Sequence, residues 1–143
     1  MKKRFTMIAS GYLMLIRKEK ILLSRRFQTG YQDGKYSLPA GHVEDNESLK
    51  KATCREVKEE IGINLQPEDL TLAHVMHRKE SDIRMDFFFT VQAQGATIRN
   101  REPKKCSNVR WFPLTRLPKN TVPYIRAAID NYRKNVIYSE FGW

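Results

Sequence analysis

Apolar residues gather first into two runs, residues 7–16 and 21–26, divided by the polar stretch Arg17-Lys18-Glu19-Lys20. That pattern predicts two strands joined by a tight turn. Residues 28–35, with Gly30, Asp33 and Gly34, read as a loop, and Leu38-Pro39-Ala40-Gly41 interrupts regular structure. A helix is expected from Asp45 or Asn46, either of which can cap it, to Gly62, whose tolerance of positive φ suits a C-terminus. Residues 70–78 and 84–94, the latter with Phe87-Phe88-Phe89, read as strands, and residues 109–112 as a short last one. Residues 122–138 have helical spacing in Ile125, Ala128, Ile129 and Tyr132. Strands interleaved with two main helices, without repeats or linkers, predict an α/β sandwich.

Composition narrows this picture. With 143 residues and 41% hydrophobic content, the chain fits one globular domain spanning 1–143. The net charge of +10 predicts attraction to polyanions, among them nucleotides, polyphosphates and nucleic acids. Acidic residues concentrate in the first helix while basic ones are spread elsewhere, so one surface is suited to a metal and another to phosphates. Cys54 and Cys106 have neither a CxxC spacing nor a disulfide framework around them, which predicts reduced thiols, a cytosolic protein and no zinc site. The start, Met1-Lys2-Lys3-Arg4 before an apolar run, imitates a signal peptide, but Arg17-Lys18-Glu19-Lys20 stands where a small-residue cleavage site belongs, so a first strand is expected. No run approaches the length of a membrane span.

The first helix carries the chemistry. At about 100° per residue, Glu59 lies about 60° to one side of Glu56 and Glu60 about 40° to the other, so three carboxylates share one face. Such a face repels itself. It is explained either as a solvated stripe with an i,i+4 pair between Arg55 and Glu59, or by hard cations such as Mg²⁺ bound through oxygen ligands. Glu47, near the helix start, suits either the macrodipole or a metal-associated role.

Gly41, Glu47, Arg55, Glu56, Val57, Glu59, Glu60, Gly62 and Ile63 together fill G-x5-E-x7-R-E-U-x-E-E-x-G-U, where U is an apolar aliphatic. In this the chain resembles the Nudix hydrolases, MutT-like members in particular. The resemblance implies a mixed sheet between helices, an α/β/α sandwich, and Mg²⁺-dependent hydrolysis of a nucleoside diphosphate linked to X, with Mn²⁺ as a substitute. It favours a nucleoside triphosphate, canonical or modified, cut to monophosphate and pyrophosphate. The alternatives are ADP-ribose, dinucleoside polyphosphates, capped RNA, or a non-catalytic nucleotide sensor. It also implies that Glu56, Glu59 and Glu60 bind metal with the carbonyl of Ala40, that Glu56 can act as base, and that Arg55 orients the glutamates.

By the same resemblance Arg25 and Arg26 meet substrate phosphates, Glu102 supplies a further carboxylate, and Asn120 with Thr121 contacts the base. For the base, Tyr36, His74, His77, Asp86, Phe87 and Phe89 could flank a planar ring, against a competing reading of the phenylalanines as core. The partners expected are a small-molecule nucleotide and, as an option, a second copy in a homodimer, with no membrane and no nucleic acid.

Overall fold

The computed structural model describes residues 2–92 and 95–143. Met1 of the basic start and positions 93 and 94 of the expected strand lie outside the described residues. Strands β1 (Ile8–Arg17) and β2 (Lys20–Arg26) form the expected pair. Their turn places Lys18 and Glu19 at φ 48° and 63°, the double left-handed geometry whose twist matches a two-residue hairpin. The hairpin opens beyond its first pairs. The early part of β1 bonds instead to β4 (Ala40–His42), and β2 bonds along its length to β7 (Cys106–Pro113). Pairing with β2 is why β7 exceeds the expected residues 109–112. The break at Leu38-Pro39-Ala40-Gly41 is real but brief, because β3 (Tyr36–Ser37) and β4 flank it.

Strands β5 (Thr71–Lys79) and β6 (Ile83–Gln92) form an antiparallel hairpin, and β6 runs parallel to β1. The sheet is mixed, in the order β3-β2-β1-β6-β5 with β8 (Tyr138–Phe141) outermost. A helix covers each face. Centrally placed β1 is buried almost end to end, as a strand covered on both sides must be. Leu13 and Leu15 pack with Val57 and Ile61 of α1 (Leu49–Ile61), while Tyr12 and Met14 pack with Ile125 and Ile129 of α2 (Pro123–Arg133). Each of these fully buried aliphatic side chains contributes about 1.5–3 kcal/mol. Phe88 and Phe89 are core and Phe87 packs beside them, so the phenylalanine run is structural.

Two helix boundaries differ from expectation. The cap of α1 is Ser48, whose hydroxyl accepts the Lys51 N–H at 3.3 Å; Asn46, at φ 62°, belongs to the turn before it. Gly62 ends α1 as expected, at φ 76°. Helix α2 stops at Arg133 because Asn135 turns left-handed at φ 58°, and Tyr138 then starts a strand parallel to β5. Periodicity alone ran through that turn.

His74 secures the returning chain. Its Nδ1 donates to the Val136 carbonyl and its Nε2 faces Ser139 Oγ, both at 2.7 Å, with the ring wholly buried. Burial holds the imidazole pKa below its ordinary 6.5. The unfolded chain therefore takes up this proton more readily, so the stability His74 contributes is complete above about pH 6.5 and is lost as pH falls toward the folded-state value. Melting temperature followed from about pH 8 to about pH 5.5 is expected to drop in the wild type below about pH 6.5. The decline should be shallower in His74→Asn. Parallel curves would contradict this role.

Candidate active site

The site begins with a close approach of backbone to helix. Where β4 crosses α1, a Cβ at Gly41 would stand 1.9 Å from Glu56 Cγ, so only glycine lets the strand lie there. One residue earlier, the Ala40 N–H donates to Glu60 Oε2 at 3.0 Å. Similarly, a Cβ at Gly11 of β1 would stand 1.9 Å from Thr53 Oγ1, which fixes α1 against the sheet. Glu56 and Glu60 are thereby pressed between helix and strand, while Glu59 stays half-exposed beside them.

Arg55 binds the acidic group together. Its Nε and Nη2 donate to the two Glu47 carboxylate oxygens at 3.1 and 2.7 Å, and its Nη1 donates to Glu56 Oε1 at 2.9 Å. The i,i+4 pair with Glu59 exists, but at 3.6 Å it is a looser member of this network. Glu47 does not cap α1: it lies before the Ser48 cap, and its second interaction is to accept the Glu44 N–H at 2.8 Å.

The electrostatics separate these carboxylates. Hydrogen bonds from Arg55 and the Glu44 N–H hold Glu47 below its ordinary pKa. Burial raises Glu56, against the pull of Arg55, and raises Glu60 much further, with neighbouring Glu56 and Glu102 adding to the effect and the Ala40 N–H and Arg26 opposing it. Glu102 reaches the site because residues 99–106 wrap the end of α1. The Arg101 N–H bonds the Glu60 carbonyl at 2.9 Å, and the Asn100 side chain ties the Glu102 N–H to the Cys106 carbonyl.

These groups open on a cleft of about 710 Å³, lined by Ala40, Glu56, Glu59, Glu60 and Glu102 on one side. Arg25 and Arg26 also line it. Their guanidiniums hold the loop after β2, with Arg25 Nε donating to the Gly34 carbonyl at 3.1 Å and Arg26 Nε to the Tyr31 carbonyl at 2.7 Å. Tyr31 in turn donates to Glu80, 2.7 Å away on the β5–β6 turn.

Asn120 is not brought to the cleft. Its side chain donates to the Gly34 carbonyl at 2.9 Å, because the Tyr36 N–H captures the Asn120 carbonyl and seats this segment beside β3. The residues expected to flank a base are likewise employed elsewhere. Tyr36 donates to Asn108, His74 holds β8, His77 lies under Trp143, Asp86 pairs with buried Arg78, and Phe87 and Phe89 pack toward α1. The cleft wall is made instead by Ser10, Tyr12, Arg78 and Tyr124, which sequence reasoning missed. A signal was present: Arg78 and Asp86 are opposite charges set inside two apolar strands, an arrangement tolerated when the charges are paired.

A hard divalent cation fits the donors by chemistry, since two carboxylates desolvated beneath the Ala40–Gly41 backbone gain from an oxygen-seeking charge that neutralises them. Among the described residues, no three carboxylate, imidazole or thiolate side chains already converge on one point. Both cysteines are free, and no helix among the described residues is long and apolar enough to cross a membrane.

Known proteins place the chain. The NUDIX domain model matches residues 7–132. The chain is 36% identical over 87 residues to the 8-oxo-dGDP phosphatase NUDT18 of Homo sapiens, covering 59% of this chain and 26% of that protein. It is 29% identical over 109 residues to the NAD-capped RNA hydrolase NudC of Stutzerimonas stutzeri, covering 76% of this chain and 37% of that one. The chain thus spans about a quarter to somewhat over a third of the length of these relatives. In structure it is similar to the MutT NUDIX hydrolase of Burkholderia pseudomallei, with a TM-score of 0.79 at 26% identity over 88% of this chain and 98% of that one. With the family model spanning most of the sequence and the fold shared, the chain belongs to the Nudix hydrolase family.

Proposed function

We propose that this chain hydrolyses a nucleoside diphosphate linked to a further group, using Mg²⁺, and that a nucleoside triphosphate is cut to monophosphate and pyrophosphate. The carrying observation is the desolvated pair Glu56 and Glu60 beneath the Ala40–Gly41 backbone, facing a cleft whose other margin is cationic. The relatives, named for a nucleoside diphosphate and for a nucleotide-capped RNA, support the same class of bond. Glu56, Glu59, Glu60 and the Ala40 carbonyl would hold the metal. When bound, Mg²⁺ shields phosphate oxygens and makes water more acidic.

The protein's own residues do the rest. Glu56 accepts the proton of the attacking water, whose oxygen bonds to phosphorus as the bridging P–O bond breaks and pyrophosphate leaves. Arg55 keeps the Glu56 carboxylate in one orientation. Arg25 and Arg26 neutralise the phosphates, and Glu102 adds a carboxylate beside Glu56 and Glu60. Asn120 acts by fixing the loop that these arginines hold.

Incubation with canonical and oxidised nucleoside triphosphates and ADP-ribose, followed by product separation, is expected to give a monophosphate and pyrophosphate from at least one triphosphate with Mg²⁺ and none in excess chelator. ADP-ribose as the sole substrate would move the reading to that alternative. Intact nucleotides with one bound at micromolar concentration or tighter would make the protein a sensor. Glu60→Gln is expected to lower kcat by roughly 10²-fold or more. Because it removes a charge that burial disfavours, its melting temperature should equal or exceed that of the wild type. Unchanged turnover would displace the site.

A further inference from the structure

We infer that the half of the cleft formed by β1, β5 and β6 receives the uncharged base of the nucleotide, with the Ser10 hydroxyl making the hydrogen bond that discriminates among bases. This rests on the nucleotide-hydrolase reading above and deepens it.

The first observation is a buried hydroxyl without a partner. Ser10 lines the cleft at 2% exposure, between His42 of β4 and Asp86 of β6, and its Oγ makes no hydrogen bond to any described residue. A buried polar group left unpaired costs about 1–3 kcal/mol. Rotation of the side chain between staggered wells re-aims that hydroxyl without moving the strand. A ligand edge bearing a carbonyl or ring N–H would complete it.

Charge then divides the cleft. On the side of Ser10, Arg78 is held by Asp86 through Nε at 2.5 Å and by Glu80 through Nη1 at 2.8 Å, and Arg84 is held by Asp82 at 2.9 Å. Three carboxylates face two guanidiniums. His42 takes a hydrogen bond from Arg84 at 2.9 Å and adds no charge in that role. A phosphate placed here would meet a surface already neutralised or slightly negative. Opposite, Arg25, Arg26 and Lys105 line the cleft with no carboxylate within ion-pair distance among the described residues, so anionic groups belong there.

The neutral half is also backed by aromatic rings and a paired guanidinium. Tyr12 stacks on Phe88 with ring centroids 4.7 Å apart, and Arg78 covers the Tyr124 ring at 3.7 Å. The two tyrosine hydroxyls meet at 3.0 Å, and Arg78 Nη2 approaches Tyr12 at 3.4 Å. These groups satisfy one another and form a rigid aromatic wall, which leaves Ser10 as the unspent hydrogen-bonding group on that wall. A site that pairs a substrate hydrogen bond rejects analogues lacking it far better than an apolar pocket does.

The experiment compares wild type and Ser10→Ala on ATP, GTP, CTP and UTP, which share one phosphate chain and differ in the base. The ratio of kcat/KM between the best and the next-best base is expected to fall about 10-fold or more in the variant. The melting temperature of Ser10→Ala should not fall, because the substitution removes an unpaired polar group. An unchanged base ranking, or an equal loss for all four bases together with a lower melting temperature, would overturn the inference. If the wild type turns over none of them, the reading of a canonical ribonucleoside triphosphate as substrate fails by itself. The inference is then decided by calorimetric affinities of AMP, GMP, CMP and UMP: flattening of their order in Ser10→Ala upholds it, and an unaltered order refutes it.

Discussion

The seat of the Ala40–Gly41 backbone on Glu56 and Glu60 is the constraint on which the rest of the molecule depends. Carboxylates prefer water, and to hold two of them against a strand the fold must fix both helix and strand independently. Gly11 lets Thr53 of α1 close on β1, the antiparallel pairing of β4 with β1 fixes the strand, and Gly41 leaves room for the Glu56 stem. A side chain at either glycine would force apart elements that the core holds together.

Arg55 and the loops complete the electrostatic design. One guanidinium spans Glu47, Glu56 and Glu59, so the motif's positive member compensates charge that the helix alone could not tolerate. Across the cleft, Glu80 joins Arg78 of β5 to Tyr31 of the loop after β2. Burial and this hydrogen bond push the Tyr31 phenol up to about 12, so it remains a donor throughout the neutral range. The loop gripped by Arg25 and Arg26 is therefore tied to the neutral wall at its far end.

Much of this was legible in the chain, and the failures have physical causes. The motif helix was readable because its spacing, its glycine stop and its carboxylate face agree with one another. The hairpin of β1 and β2 was readable from alternating apolar runs and a polar turn. Its parallel partner β6 was not, since nothing local records which distant strand lies alongside. The cap at Ser48 lost to Asp45 and Asn46 because all three are good caps, and only tertiary pairing shows where the helix starts. The strand at the C-terminal end was hidden by a left-handed Asn135 in an otherwise helical pattern. The surroundings of the polar residues were not legible because exposure cannot be inferred from residue type: His74 and Asp86 look like ligands in sequence and are buried structural groups, whereas nothing in the sequence marks Ser10 as lining the cleft.

The central claim is that Glu56 and Glu60 are held desolvated in order to bind a divalent cation. A crystal grown with Mn²⁺ and measured for anomalous scattering tests it most directly. The account predicts an ion ligated by Glu56 and Glu60 with the Ala40 carbonyl, and its loss in Glu60→Gln. An ion bound only to carboxylates elsewhere on the surface, or no ion at all with the two glutamates unmoved, would contradict it.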